Sequence, residues 1–214
     1  MPFTADQFFD IFARYNSAIW PMQWVLGAMA IIAVIAVISA QVFRIRLALI
    51  FVAGLWFWTG AGYHFAFFAR INPAAWLFGS LAIIQGLLLL WAARKQTAPL
   101  PPRTRLEVGV ASALIFYAVI AYPLIGIASG HRYPAMPTFG TPCPTTIFTL
   151  GLLCALKSGP AILFIIPSIW GIIGSFAALQ FGVIQDYAMP LAAIFAILVY
   201  LRRRNELGRL LAVS

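Results

Sequence analysis

Met22-Gln-Trp-Val-Leu-Gly-Ala-Met-Ala-Ile-Ile-Ala-Val-Ile-Ala-Val-Ile-Ser-Ala40 carries no charged side chain and no proline. A helix of about 20 such residues, rising 1.5 Å per residue, reaches across the roughly 30 Å hydrocarbon core of a bilayer. Apolar residues fill every face of this stretch, so it reads as a helix surrounded by lipid or protein rather than one half in water. Six further apolar runs follow. They cover 47–68, 74–93, 106–129, 143–156, 161–182 and 184–201, and most are closed by basic residues. The expected fold is all-α, a polytopic transmembrane bundle of seven spans occupying 21–214. The run at 143–156 is short for a span. Its apolar part, Thr145 to Leu156, can extend backward through Pro144 and Cys143, tilt little, or re-enter, which leaves six spans plus a re-entrant segment as the alternative.

Composition agrees. The chain has 214 residues, 63% hydrophobic and 9% charged, against about 25% charged in an ordinary soluble domain. That is too little charge to coat a water-soluble globule. The net charge of +9 would suit nucleic acid, but the basic residues flank apolar runs, where they orient a chain in the membrane. Nucleic acid binding is therefore not expected. Two cysteines exclude a disulfide-rich secreted scaffold. The beginning Met-Pro-Phe-Thr, with Asp6 and Asp10 ahead of any basic residue, does not read as a signal peptide.

Residues 1–20 read as an interfacial amphipathic helix. Gln7, Asp10, Arg14 and Ser17 fall on one face; Phe8, Phe9, Phe12, Tyr15 and Ile19 fall on the other. Thr4 and Gln7 have the spacing of a capping box, and Phe3 with Phe8 that of a hydrophobic staple. Trp20-Pro21 ends the helix.

With the N-terminus outside, eleven of the fourteen Lys and Arg residues fall inside: Arg44, Arg46, Arg94, Lys95, Arg103, Arg105, Lys157, Arg202, Arg203, Arg204 and Arg209. Only Arg14, Arg70 and Arg132 fall outside. The positive-inside rule thus predicts an outer N-terminus and a cytoplasmic C-terminus. The same topology gathers His64, His131, Arg132, Tyr133, Met136, Cys143 and Asp186 toward the outer face, beside Tyr15 and Asn16. His64, His131 and Cys143 offer ligand types for copper, zinc or haem, although no ligand motif of regular spacing links them. In the plainer reading His64 is a hydrogen-bonded bundle residue and His131 a solvated loop residue. Cys143 stands where a helix begins, a position that favours thiolate; an ordinary packed cysteine is the alternative. Tyr15, Asn16, Arg132, Tyr133 and Asp186 are candidate ligand-binding residues.

Pro123, Pro160, Pro167, Pro190, Gly171 and Gly174 interrupt the later spans, as in transporters with broken helices, though such residues are common in membrane helices generally. No span carries a mid-membrane lysine, which argues against a retinal protein. Gln23, Gln85 and Gln180 read as interhelical hydrogen-bond partners, Glu107 as a helix-start charge, and Cys154 as packing.

Two stretches, Tyr15-Asn16-Ser-Ala-Ile-Trp20-Pro21-Met-Gln23 and Cys143-Pro-Thr-Thr-Ile-Phe-Thr-Leu-Gly151, resemble a family of bacterial multi-pass membrane proteins known only as a domain of unknown function. The resemblance extends over the whole chain. It implies a bacterial inner-membrane location and a common design for the N-terminal helix and the Cys-Pro-Thr-Thr segment, and it implies no activity. The functional expectation is binding or transport of a small ligand or metal ion at the outer face. A membrane enzyme using Cys143, or a structural or partner-binding subunit, is the alternative.

Overall fold

The structure is a computed structural model that describes residues 2–39, 41–98, 103–156 and 160–213. It is helical throughout, and the one β feature among the described residues is an isolated bridge between Phe139 and Thr141. Helix α1, Ala5–Ala18, forms as its sequence dictates. Thr4 accepts from the Gln7 amide while the Gln7 side chain accepts from the Thr4 amide, and the Phe3 and Phe8 rings stack at 6.0 Å. Phe8, Ile11, Phe12 and Tyr15 are buried; Asp10 and Arg14 pair at 2.7 Å on the exposed face. An 82° bend leads into α2, Met22–Ile38.

Helix α3, Val42–Phe57, continues as a π-helical stretch, Trp58–Phe65, and closes in a 3-10 turn, Phe68–Arg70. Then come α4, Ala75–Lys95, and α5, Arg105–Phe116. A second π stretch, Tyr117–Ala121, joins α5 to α6, Tyr122–Ala128. The expected interruption at Pro123 is thereby absorbed: proline cannot donate to the preceding turn and crowds it, and the wider turns continue the helix through the site. Helix α7 is Pro142–Leu156, α8 is Ile162–Phe181, and α9 is Ala188–Val213.

Two boundaries differ from the sequence reading. Residues Ile184–Tyr187 form a 3-10 turn, so Pro190 lies in the first turn of α9, where proline is tolerated, and interrupts nothing. Helix α9 also runs on past Leu201 through the arginine cluster. Lys157 lies outside the described residues, as does the side chain of Arg209.

By length and composition, five helical segments can cross a membrane: Val42–Arg70, Ala75–Lys95, Arg105–Ala128, Ile162–Phe181 and Ile184–Asn205. The bent pair of α1 and α2 adds a sixth if counted as one span, and Pro142–Leu156 is a shorter apolar helix. The outward faces are apolar, with Ile32, Ile35 and Ile38 of α2 and Leu191, Ile194 and Leu198 of α9 all exposed.

Helix α7 is the exception. Every residue of it except half-buried Cys143 is buried, because α2, α3, α5, α8 and α9 all pack around it. Packed among five other helices, α7 presents little of itself on the outer surface. Close packing demands Gly151, since a Cβ there would lie 3.0 Å from the Leu114 side chain of α5. Trp56 on α3 donates to Thr149 Oγ1 at 2.9 Å, and Thr149 in turn donates to the Thr145 carbonyl.

Arginines satisfy the helix C-termini at one end of the bundle. The last four carbonyls of any helix lack intrahelical partners. Arg103 donates to the Val37 carbonyl at the end of α2, Arg46 to the Gln96 carbonyl at the end of α4, and Arg203 to the Leu153 and Cys154 carbonyls at the end of α7. Each positive charge thus sits at the negative end of a helix dipole. Arg203 also pairs with Glu107 at 2.6 Å, while Glu107 closes a capping box with Thr104. The Glu107 charge expected at a helix start is therefore present, with a buried partner that the sequence reading did not foresee.

Removing one member of a buried pair leaves the other charge uncompensated. Arg203→Ala is expected to lower the thermal unfolding midpoint in detergent, at a cost on the order of 3–5 kcal/mol. Glu107→Leu combined with Arg203→Met should unfold at a higher temperature than either single variant.

Candidate functional site

The outer-face candidates divide into a clamp and a cavity. The clamp joins the end of α1 to the loop at 133–141. Asn16 donates from Nδ2 to the Pro134 and Met136 carbonyls at 2.7 and 2.8 Å, and its Oδ1 accepts from Thr138 at 2.7 Å. Its own carbonyl accepts from Gln23 Nε2 and the Tyr133 hydroxyl. Tyr15, fully buried, accepts from Trp58 Nε1 at 2.6 Å and donates to the Gly140 carbonyl at 3.4 Å. Gly140 has φ +99°, a conformation that favours glycine. Tyr15, Asn16 and Tyr133 thus spend their polar groups on holding α1 against this loop. Arg132 is exposed, and its side chain takes no part in the clamp's bonds.

Beneath the clamp lies a cavity of about 250 Å³ between α1, the π stretch of α3, the start of α7, and α8. Phe8, Phe12, Tyr63, Phe68 and Phe78 supply most of its wall. His64, Cys143 and Trp170 line it too, as do Asn72 and the start of α7 at Pro142. The wider π turns carry His64 inward, and such turns recur at functional sites. Its ring is 1% exposed and meets Trp170 edge-on at 5.1 Å. Among the described residues, His64 Nδ1 and Trp170 Nε1 both lack a hydrogen-bond partner. Buried polar atoms are nearly always paired, so two orphans on one wall make this cavity the candidate site. The cavity borders exposed Phe176 of α8, which gives it a side opening among apolar surface.

Cys143 connects this cavity to a buried polar group. The Asp186 carboxylate accepts from the Tyr122 hydroxyl at 2.5 Å and from the Cys143 thiol; Asp186 and Tyr122 are 1% and 0% exposed. An activated cysteine has a cationic neighbour, whereas this one faces a carboxylate. The helix start at Pro142 therefore does not by itself make Cys143 a thiolate site.

The model of a family of unknown function, DUF6064, matches residues 5–209, from the first residue of α1 into the last helix. The chain belongs to this family. No curated protein and no solved structure matches it.

In this DUF6064 member the three proposed metal ligands do not converge. His64 and Cys143 line the cavity, whereas His131 stacks on Phe9 at 4.7 Å and is not part of the wall. Partial burial there lowers the His131 pKa from its usual value. Among the described residues no three His, Cys, Asp or Glu side chains are grouped as a metal site needs. The sequence reading did not single out Trp170 of the cavity wall, nor Tyr122, the partner of Asp186. Only the polar edge of each ring sets it apart, and that edge becomes informative once its neighbours are known.

Asn16→Ala should strip several buried carbonyls and Thr138 of their partner at once. The expected loss is on the order of 2–3 kcal/mol of stability. It should appear as faster proteolysis in the loop at 133–141 with the rest of the chain intact.

Proposed function

We propose that this protein is a multi-pass protein of a bacterial inner membrane that binds a small, mostly apolar ligand in the cavity under α1. The carrying observation is the pair of orphaned polar atoms, His64 Nδ1 and Trp170 Nε1, on an otherwise aromatic wall. Binding sites of this kind are concave, largely apolar, and oriented by a few polar groups. The ligand is an aromatic or short-chain molecule with one oxygen that hydrogen-bonds His64 and Trp170. It enters from the lipid side, past Phe176.

Several features support the membrane assignment. Five segments are long and apolar enough to cross a membrane, and α2 and α7 would complete the seven crossings proposed. The exposed isoleucines and leucines form the kind of apolar surface that marks a membrane or partner contact. The arginines capping α2, α4 and α7 collect at the opposite end from the clamp, which fits an outer N-terminus and a cytoplasmic C-terminus. Helix α1, turned 82° from α2, would lie along the outer interface with its charged face to water.

The test uses naphthol and naphthalene as probes, titrated calorimetrically into detergent-solubilised protein. Wild type should bind naphthol about tenfold more tightly than naphthalene, because one hydrogen bond to an otherwise unpaired buried group is worth about 1–1.5 kcal/mol. His64→Phe should narrow the gap between the probes, since Trp170 alone then remains to bond the hydroxyl, and Ile173→Trp, which fills the cavity, should bind neither. Equal affinities in wild type, or binding that survives Ile173→Trp, would overturn the proposal.

A further inference from the structure

A larger cavity lies elsewhere, at the arginine-rich end. A groove of about 630 Å³ separates α2 from α5, with Leu152 and Ala155 of α7 as its floor. Its walls are Ala30 to Ile38 of α2 and Val108 to Ile120 of α5 and the π stretch. Aliphatic side chains dominate; Ser112 is exposed within it and Arg103 stands at its mouth.

Two magnitudes identify what fits. At 1.5 Å per residue the α2 wall is ~12 Å long and the α5 wall ~18 Å. One leaflet of a roughly 30 Å hydrocarbon core is about 15 Å deep. The groove therefore begins at the level of a cap arginine and ends near mid-membrane, the depth of a single acyl tail. Charge selects the headgroup. Arg103 gives one bond to the Val37 carbonyl, and a guanidinium has five N–H donors in a geometry that suits phosphate. Arg105, at the start of α5, is exposed at the same end.

We propose that this groove is a binding site for one anionic phospholipid, its acyl chain between α2 and α5 and its phosphate on Arg103. The site rests on the membrane reading above and is independent of the cavity under α1. It replaces direct contact between α2 and α5 with a lipid, so that the inner half of α7 is sealed on this side by an acyl chain.

The test is native mass spectrometry of the full chain released from nanodiscs of mixed phosphatidylglycerol and phosphatidylcholine. Wild type should retain one phosphatidylglycerol in preference to phosphatidylcholine. Arg103→Gln should weaken that preference about fivefold, the worth of one arginine at an anionic surface (about 1 kcal/mol). Ser112→Trp, which fills the groove from an exposed position, should abolish retention of either lipid while circular dichroism stays unchanged. Retention of no lipid by wild type, equal retention of both lipids, or unchanged retention in Ser112→Trp would overturn the proposal. So would conversion of a wild-type dimer to monomer by Ser112→Trp with lipid retention intact, since the groove would then be an interface between copies. Naphthol binding by the same samples reports separately on the other cavity.

Discussion

A helix packed among five others must find partners for both of its ends within the protein. Water normally attends to the free backbone groups of a helix terminus, but α7 is buried at nearly every residue. Its start is resolved by composition. Pro142 and Pro144 carry no amide hydrogen, so two of the donors left over in a first turn do not exist, and the Thr145 amide returns to the Thr141 carbonyl. Its end is resolved by Arg203, whose charge could be buried only because Glu107 is beside it. The Cys-Pro-Thr-Thr stretch and the last arginine cluster, far apart in sequence, answer the same constraint.

The same constraint builds the outer site. Closing the top of α7 requires the loop at 133–141, and holding that loop requires the Tyr15 and Asn16 bonds from α1. Helix α1 thereby becomes a roof over the aromatic space between the π stretch of α3 and α8. What remains unsatisfied under that roof is small: two nitrogen atoms, plus a thiol already committed to Asp186. The cavity accordingly offers few polar contacts, and its aromatic walls set shape more than charge.

Helix existence and order were legible because apolar runs closed by arginine leave little else to form. The α1 cap and staple were legible too, since both depend on residues three to five apart. The candidate residues were legible as a group on one face but not in their roles. Tyr15 and Asn16 resembled binding residues because sequence shows a polar pair and hides its partners at 134–140. Trp170 stayed hidden because its indole nitrogen is silent until the His64 ring is placed 5.1 Å away. Arg203 was counted only as a topological charge, for nothing local reveals that Leu153 and Cys154 end a helix beside it. Short-range signals survive translation into sequence patterns; contacts between residues 50 or 100 positions apart do not.

The position of Arg203 near the end of the chain has a consequence for synthesis. Helix α7 precedes α9 in the chain, and until α9 arrives the carbonyls of Leu153 and Cys154 lack the arginine that caps them. The half-made protein is therefore a bundle with an open side, in which its innermost helix is the least finished. Helix α9 thus acts as a latch on α7, because Arg203 arrives only with it.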